Sequence, residues 1–256
     1  MNLEIKDKIF LVTGSSRGIG KAIVERLLFE GAKVALVARG EESLNQAVNE
    51  FKNRFGEDCV EGWSVDCADE KELQNLQVSI EEKWKRLDGV IANVGDGRSV
   101  PDAIPSADQW STVWRSNFDT ALNTSRAFLP MLKATKGCLL FISSITGVEA
   151  IGAPIDYSTA KSALNAFAKN LSRKVAPHVR VNVIAPGNIY FPEGSWDKKM
   201  KNDEKKISEL IKNTVPIQRF GKPEEIADTA VFLCSPRASF ITGSVLRVDG
   251  GQTVRL

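Results

Sequence analysis

Short apolar runs alternate along the chain with longer stretches in which apolar residues recur every three or four positions. Ile9 to Thr13 is the first run, and Gly14 ends it. From Ile19 to Phe29 the spacing turns helical and stops at Gly31, a residue type that closes helices because it tolerates the left-handed backbone region. The alternation continues. Strands are predicted at Val34 to Ala38, Val60 to Val65, Gly89 to Val94, Cys138 to Ser143, Val179 to Ile184 and Val245 to Val248. Helices are predicted at Glu42 to Phe55, Glu70 to Trp84, Gln109 to Leu132, Tyr157 to Val175 and Glu224 to Leu233. Runs that are apolar on both faces suit strands covered on both sides, hence a parallel sheet. Repeated βα units with right-handed crossovers predict an α/β fold, a Rossmann-type doubly wound parallel sheet with helices on both faces. No repeat, linker or low-complexity segment divides the chain, so residues 1–256 are expected to form a single domain.

Composition narrows the function classes. A net charge of +2 gives no reason to expect nucleic acid as a partner. No apolar stretch reaches membrane-spanning length and no signal-peptide pattern precedes the first strand, so no membrane partner is expected. Cys59, Cys67, Cys138 and Cys234 form no C-x-x-C, and with the lone His178 they make no metal-site pattern. Reduced, mostly buried thiols are expected, which suits a cytoplasmic location. The basic run of Lys198 to Lys206 is interrupted by Asp197, Asp203 and Glu204, which reads as a solvated helix face. A lid that greets an anionic substrate is the sharper alternative.

The loop Thr13-Gly14-Ser15-Ser16-Arg17-Gly18-Ile19-Gly20 joins the first strand to the first helix. Gly14 suits a tight turn, Gly18 lets backbone approach a pyrophosphate, and Gly20 lets the helix pack close to the sheet. The helix start then offers free N–H groups and a positive dipole end to phosphate. Gly14, Ser16, Arg17, Gly18, Ile19 and Gly20 are therefore candidates to hold a dinucleotide. An acidic residue at the end of the second strand would bind the ribose 2′-hydroxyl of NAD. The chain has Ala38-Arg39 there, and Arg39 with Arg17 would suit a 2′-phosphate. NADP(H) is the expected cofactor, with NAD(H) second. Surface arginines with no such role are the plain alternative.

Tyr157 and Lys161 lie one helical turn apart and point off one helix face. A phenol has an ordinary pKa of about 10, and a neighbouring ammonium favours the phenolate and lowers that value. A tyrosine tuned this way exchanges a proton with a carbonyl or alcohol oxygen. Taken alone, the spacing fits a packed tyrosine beside a solvated lysine better.

Loop, strands and Tyr/Lys pair together resemble the short-chain dehydrogenase/reductase family, in its compact single-domain branch and similar to the 3-oxoacyl-carrier-protein reductases. The matching residues are the Thr13 to Gly20 loop, Asp66, Asn93-Val94-Gly95, Asn117, Ser143-Ser144, Tyr157, Lys161, Pro186-Gly187 and Val248-Asp249-Gly250-Gly251. The resemblance implies hydride transfer between NADP(H) and a carbonyl or secondary alcohol, with Tyr157 as general acid/base. It implies that Ser144 bonds the substrate oxygen and that Asn117 fixes a water leading to Lys161. It implies that Lys161 also binds the nicotinamide ribose and that Asp66 holds the adenine. Asn93 and Gly95 would line the cofactor cleft, and Pro186, Gly187 and Ile189 would shape the nicotinamide pocket. Read without the resemblance, Ser144 and Asp66 also suit caps or turns, and Asn117 a local hydrogen bond.

The chain departs from the family pattern in two places. Ala92-Asn93-Val94-Gly95 replaces the usual Asn-Asn-Ala-Gly, and Asn188-Ile189-Tyr190-Phe191 lacks the Thr that commonly follows Pro-Gly. Residues 188–214 are expected to form a substrate lid, with an ordinary surface loop-helix as the alternative. The substrate is expected to be a small carbonyl or alcohol: a 3-oxoacyl thioester, a sugar ketone or a cyclic ketone. The resemblance also implies a homotetramer, or else a dimer. A non-catalytic NADP(H)-binding regulator on the same fold is the alternative function.

Overall fold

The computed structural model describes residues 1–255. Its strands are β1 (Ile9–Thr13), β2 (Lys33–Ala38), β3 (Val60–Ser64), β4 (Gly89–Ala92), β5 (Cys138–Ile142), β6 (Arg180–Pro186) and β7 (Val245–Val248). They form one sheet in the order β3-β2-β1-β4-β5-β6-β7, with every neighbouring pair parallel. The helices between them are α1 (Gly18–Phe29), α2 (Glu41–Phe55), α3 (Glu70–Trp84), α4 (Ala107–Trp114), α5 (Thr120–Thr135), α6 (Ile155–Val175), α7 (Ser195–Asn202), α8 (Glu204–Thr214) and α9 (Pro223–Cys234).

Successive strand residues point to opposite faces, and the chain fills both. Phe10 and Val12 join a core with Ile23, Leu27, Phe51 and Ala230, from α1, α2 and α9. Ile9 and Leu11 join the opposite core with Leu73, Phe128 and Leu164, from α3, α5 and α6. This double coverage is the reason the strand runs lack a polar face. The strand order reverses between β1 and β4, and ligands in open α/β sheets bind at such a switch point, beyond the carboxyl ends of the strands.

Two local departures from the predicted elements shape the site. Strand β4 ends at Ala92 rather than Val94, because Asn93 and Val94 turn their backbone N–H groups to Thr13 Oγ1 at 3.0 and 3.3 Å. The long helix predicted from Gln109 to Leu132 is two helices joined by a π-helical turn, Arg115–Asp119. Such turns often fall at functional sites, and the buried residue of this one is Asn117.

Residues 188–214 are mostly helical. An isolated parallel bridge between Ile189 and Gly221 closes the segment at its base, and α7 and α8 follow. The lysines of this segment lie on exposed positions, as expected of a solvated face.

Candidate active site

The glycine loop is built for close backbone approach. Gly14 and Gly18 take φ values of +63° and +55°, where side chains are strained. A Cβ at Gly20 would lie 2.2 Å from the Gly14 carbonyl oxygen. The loop is tied to β2 through Ser15, whose Oγ accepts the Val37 N–H at 2.9 Å and whose own N–H donates to the Val37 carbonyl. Asn93 fastens it from the other side, its Nδ2 donating to the Thr13 and Gly14 carbonyls at 3.0 Å each. No side chain caps the first turn of α1, so its N–H groups face outward uncapped. Glycines in the left-handed region and an uncapped helix start fit a dinucleotide pyrophosphate.

At the carboxyl ends of β2 and β3, a cavity of about 470 Å³ is lined by Arg39, Ser64, Val65, Asp66 and Asn75 among others. Arg39 and Arg17 are exposed, and among the described residues neither pairs with a carboxylate. Arg39 lines this cavity. Arg17 does not, and its charge acts instead on the Asp96 carboxylate. Asp66 accepts the Ala68 N–H at 3.0 Å, while the cap of α3 is Asp69, which accepts from Lys71 and Glu72. The capping alternative for Asp66 thus passes to its neighbour.

The predicted catalytic residues converge. Lys161 Nζ donates to the Ile142 carbonyl at 3.1 Å and lies 5.8 Å from the centroid of the Tyr157 ring. A Cβ at Gly95 would sit 2.8 Å from Lys161 Nζ and 3.0 Å from Asn117 Oδ1, so glycine is what leaves room for both groups. Asn117 is fully buried. Its Nδ2 donates to the Asp96 and Val113 carbonyls at 2.9 and 3.0 Å, and its Oδ1 accepts the Asp96 N–H at 3.1 Å. Ser144 starts a short 3₁₀ turn, where its Oγ accepts the Thr146 N–H at 3.2 Å, so it is a cap as well as a neighbour of Tyr157. Pro186 ends β6 in register with Val248, and Gly187 donates to the Val248 carbonyl at 3.0 Å. Buried Ile189 completes that wall. Ser16 and Ile19 lie half-buried on the glycine loop.

The electrostatics correct one expectation. The spacing predicts that Lys161 draws the Tyr157 pKa down, but it stands raised. Burial is the largest cause, the nearby Ser144 hydroxyl opposes it, and the Asp96 carboxylate adds to it. Burial also pushes Lys161 down from 10.5 to about 8. The ammonium is itself disfavoured, so desolvation of the phenol wins.

Three further carboxylates lie in segments around these residues. Asp156 is 1% exposed and accepts the Tyr157 N–H at 2.8 Å and the Ser99 hydroxyl. Asp197, also buried, accepts from the Tyr190 hydroxyl, the Glu193 N–H and Lys201, at 2.8, 2.9 and 2.8 Å. The Lys201 bond is the largest cause holding Asp197 down to about 2. Asp96 forms a forked pair with Arg98 beside Tyr157. In the sequence Asp156 directly precedes the helix predicted from Tyr157, where an acid meets the positive end of the dipole.

Comparison with known proteins finds relatives over nearly the whole chain. Residues 14–253 match the family model described as enoyl-(acyl carrier protein) reductase. A tropinone reductase homolog of Arabidopsis thaliana is 36% identical, over 98% of this chain and 92% of its own. The 3-oxoacyl-acyl-carrier-protein reductase FabG of Aquifex aeolicus is 34% identical, over 98% and 100%. The crystal structure of L-sorbose reductase from Gluconobacter frateurii with NADPH and L-sorbose superposes with a TM-score of 0.93 at 32% identity, over 100% of both chains. A 7α-hydroxysteroid dehydrogenase with NADH and a 7-oxo bile acid gives 0.89 at 28%, over 100% of this chain and 98% of its own. The chain belongs to the short-chain dehydrogenase/reductase family of oxidoreductases.

Proposed function

We propose that this protein transfers a hydride between NADP(H) and a carbonyl or secondary-alcohol carbon, with Tyr157 as general acid/base. The observation that carries the reading is the meeting of Lys161 Nζ and Asn117 Oδ1 around Gly95, with Tyr157 and Ser144 beside them. A nicotinamide dinucleotide, when bound, supplies the hydride. Gly14, Ser16, Arg17, Gly18, Ile19 and Gly20 would hold its phosphates, and Arg39 and Asp66 its adenosine. Asn93, Gly95, Pro186, Gly187 and Ile189 would shape the cleft for its nicotinamide end, and Lys161 would bind the ribose hydroxyls.

The residues of this chain do the rest. Tyr157 and Ser144 donate hydrogen bonds to the substrate oxygen, where negative charge develops in reduction. A phenol whose pKa is raised holds its proton at neutral pH and is ready to donate it. Lys161, poised near 8, passes a proton onward more easily than an ordinary lysine. Asn117, locked by its three backbone bonds, is placed to hold a water on that path.

The NADP(H) preference rests on exposed Arg39 in the cavity wall, on the absence of an acid at Ala38, and on the NADPH bound by L-sorbose reductase. Residues 188–214 act as the substrate lid, anchored at Asp197. Among the substrates expected, a hydroxylated ketone suits the charged Asp96–Arg98 pair beside Tyr157 better than an apolar chain, which would have to desolvate it. We infer a homotetramer from the exposed apolar Val245 and Leu246 on the edge strand and from exposed Phe240, which light scattering would test against a dimer. Four free cysteines suit the cytoplasm, and no helix among the described residues is long and apolar enough to cross a membrane.

The test is dinucleotide oxidation at the nicotinamide absorbance band with L-sorbose, tropinone and an acetoacetyl thioester, run with NADPH and with NADH. Turnover with a higher kcat/KM for NADPH is expected. An equal or higher value with NADH would overturn the cofactor preference. Dinucleotide binding with no turnover across these and a wider carbonyl panel would leave a binding protein rather than an enzyme.

A further inference from the structure

Asp156 is an unusual carboxylate. It is 1% exposed and, among the described residues, no basic side chain lies within ion-pair distance of it. A buried charge is costly unless its lone pairs are satisfied. Two features satisfy this one. It stands in the first turn of α6, whose N-cap Pro154 offers no side-chain cap, so it meets the positive end of the helix dipole. It also accepts two hydrogen bonds, one from the Tyr157 N–H at 2.8 Å and one from the hydroxyl of Ser99.

The second bond reaches a distant part of the chain. Ser99 belongs to the irregular segment between β4 and α4, fifty-seven positions away in sequence. The same segment is pinned at Asp96 by both sides of the Asn117 amide. Between the two anchors lies Gly97, where a Cβ would come within 3.8 Å of Tyr157 Cζ. Residues 96–99 therefore form a short strap over the phenol, tied at one end to the π-helical turn and at the other to the catalytic helix.

We propose that Asp156 is a positioning residue: through Ser99 it holds the 96–99 strap against Tyr157 and so sets the wall of the carbonyl site. This rests on the proposed function above. A helix cap alone would need only the Tyr157 N–H, and removing the Ser99 hydroxyl would leave it intact. A positioning clasp needs both bonds. The strap also carries the Asp96–Arg98 pair, so the clasp fixes where that charged pair meets the substrate.

The test compares Ser99→Ala, Asp156→Ala, Asp156→Asn and the Ser99→Ala/Asp156→Ala double variant with wild type, on whichever of L-sorbose, tropinone and an acetoacetyl thioester wild type reduces. Ser99→Ala and Asp156→Ala should each lower kcat/KM for the carbonyl by about tenfold or more, the scale of a misplaced reacting group. The double variant should be no worse than Asp156→Ala. Asp156→Asn should recover most of the loss, since an amide still accepts the Tyr157 N–H and can donate to Ser99. NADPH affinity, read by tryptophan fluorescence quenching, should stay at the wild-type value. Amide exchange across residues 96–101 should accelerate in Ser99→Ala. Wild-type kinetics and exchange in Ser99→Ala would reduce Asp156 to a helix cap and overturn the clasp. If wild type binds NADPH yet reduces nothing, the proposed function fails instead. The exchange measurement then decides the strap by itself: unchanged exchange in Ser99→Ala overturns it.

Discussion

The glycine loop and the 188–214 segment both border the cleft, yet they are held by opposite means. The loop from Thr13 to Gly20 is fixed by backbone: positive φ at Gly14 and Gly18, a Gly20 that admits no side chain, and the Asn93 amide bonded to two main-chain carbonyls. The 188–214 segment is fixed by side chains. One buried carboxylate, Asp197, gathers Tyr190, Glu193 and Lys201, while Tyr190 and Trp196 lean on Phe220. Backbone contacts tolerate almost no substitution, and side-chain clasps tolerate many. On the proposed reading, the first region holds the dinucleotide and the second leaves the substrate end free to vary, which fits relatives named for tropinone, sorbose, steroid and acyl-carrier-protein substrates.

Breaking the rigid side should cost most. Gly20→Ala places a Cβ 2.2 Å from a backbone oxygen and 2.6 Å from Asn93 Nδ2, neither of which yields easily. It should lose stability at the upper end of the roughly 1–3 kcal/mol typical of overpacking, and it should lose NADPH binding with it. Thermal melting and dinucleotide titration check both. A variant that melts and binds as wild type does would mean that the loop is looser than its contacts indicate.

Lys161 gives the next largest effect, with a pH signature. Its pKa falls from 10.5 to about 8 on folding because the ammonium is buried. Between those values the unfolded chain holds a proton that the native protein lacks. Stability contributed at this site therefore rises as pH rises from 8 to 10.5, and the burial penalty is greatest below 8. Lys161→Met removes that penalty. Its stability gain over wild type should be largest at pH 7, at most roughly 3 kcal/mol, and should vanish near pH 10.5. Denaturant unfolding at pH 7 and pH 10 measures it, and a gain that grows with pH would contradict the sign.

Much of the architecture is legible in the amino-acid sequence. Runs apolar on both faces, punctuated by Gly14, Gly31 and Gly89, point to a parallel sheet because only that sheet buries both faces. The family motif places Ser144, Tyr157 and Lys161 because each sits at the end of a strand or on one helix face. What escapes is set by partners distant in sequence. The π-helical turn is invisible in the apolar pattern of residues 109–132, and so are the bonds of its Asn117 to Asp96, 21 positions away. Asp197 looks solvated among lysines until the fold wraps Tyr190 and the Glu193 N–H around it. The upward shift of Tyr157 depends on its desolvation, which spacing does not encode.

The side-chain-held region offers a smaller test. Asp197→Ala should release Tyr190 and Lys201 and loosen α7 without touching either core. The KM for the carbonyl should rise while thermal stability and NADPH affinity change little. Amide exchange confined to residues 190–202 would support this, and exchange spreading into β6 would show that the segment supports the whole fold.

The seam between the two regions should respond least. The Phe191 ring lies over Gly18, its Cε2 and Cζ 2.8 Å from where a Cβ would stand. Phe191→Thr opens that face and adds a hydroxyl. NADPH affinity should strengthen by about two- to tenfold, the worth of one hydrogen bond. Weaker binding would show that the ring helps to hold the dinucleotide.

The central claim is that Tyr157 supplies the proton at a site whose dinucleotide end is independently fixed. Single-turnover oxidation of bound NADPH by a reducible ketone, compared between wild type and Tyr157→Phe at equal dinucleotide occupancy, tests it most directly. The account predicts a loss of about 10²–10⁴ in the rate of that step with unchanged NADPH affinity. A phenylalanine variant that turns over at the wild-type rate would contradict it.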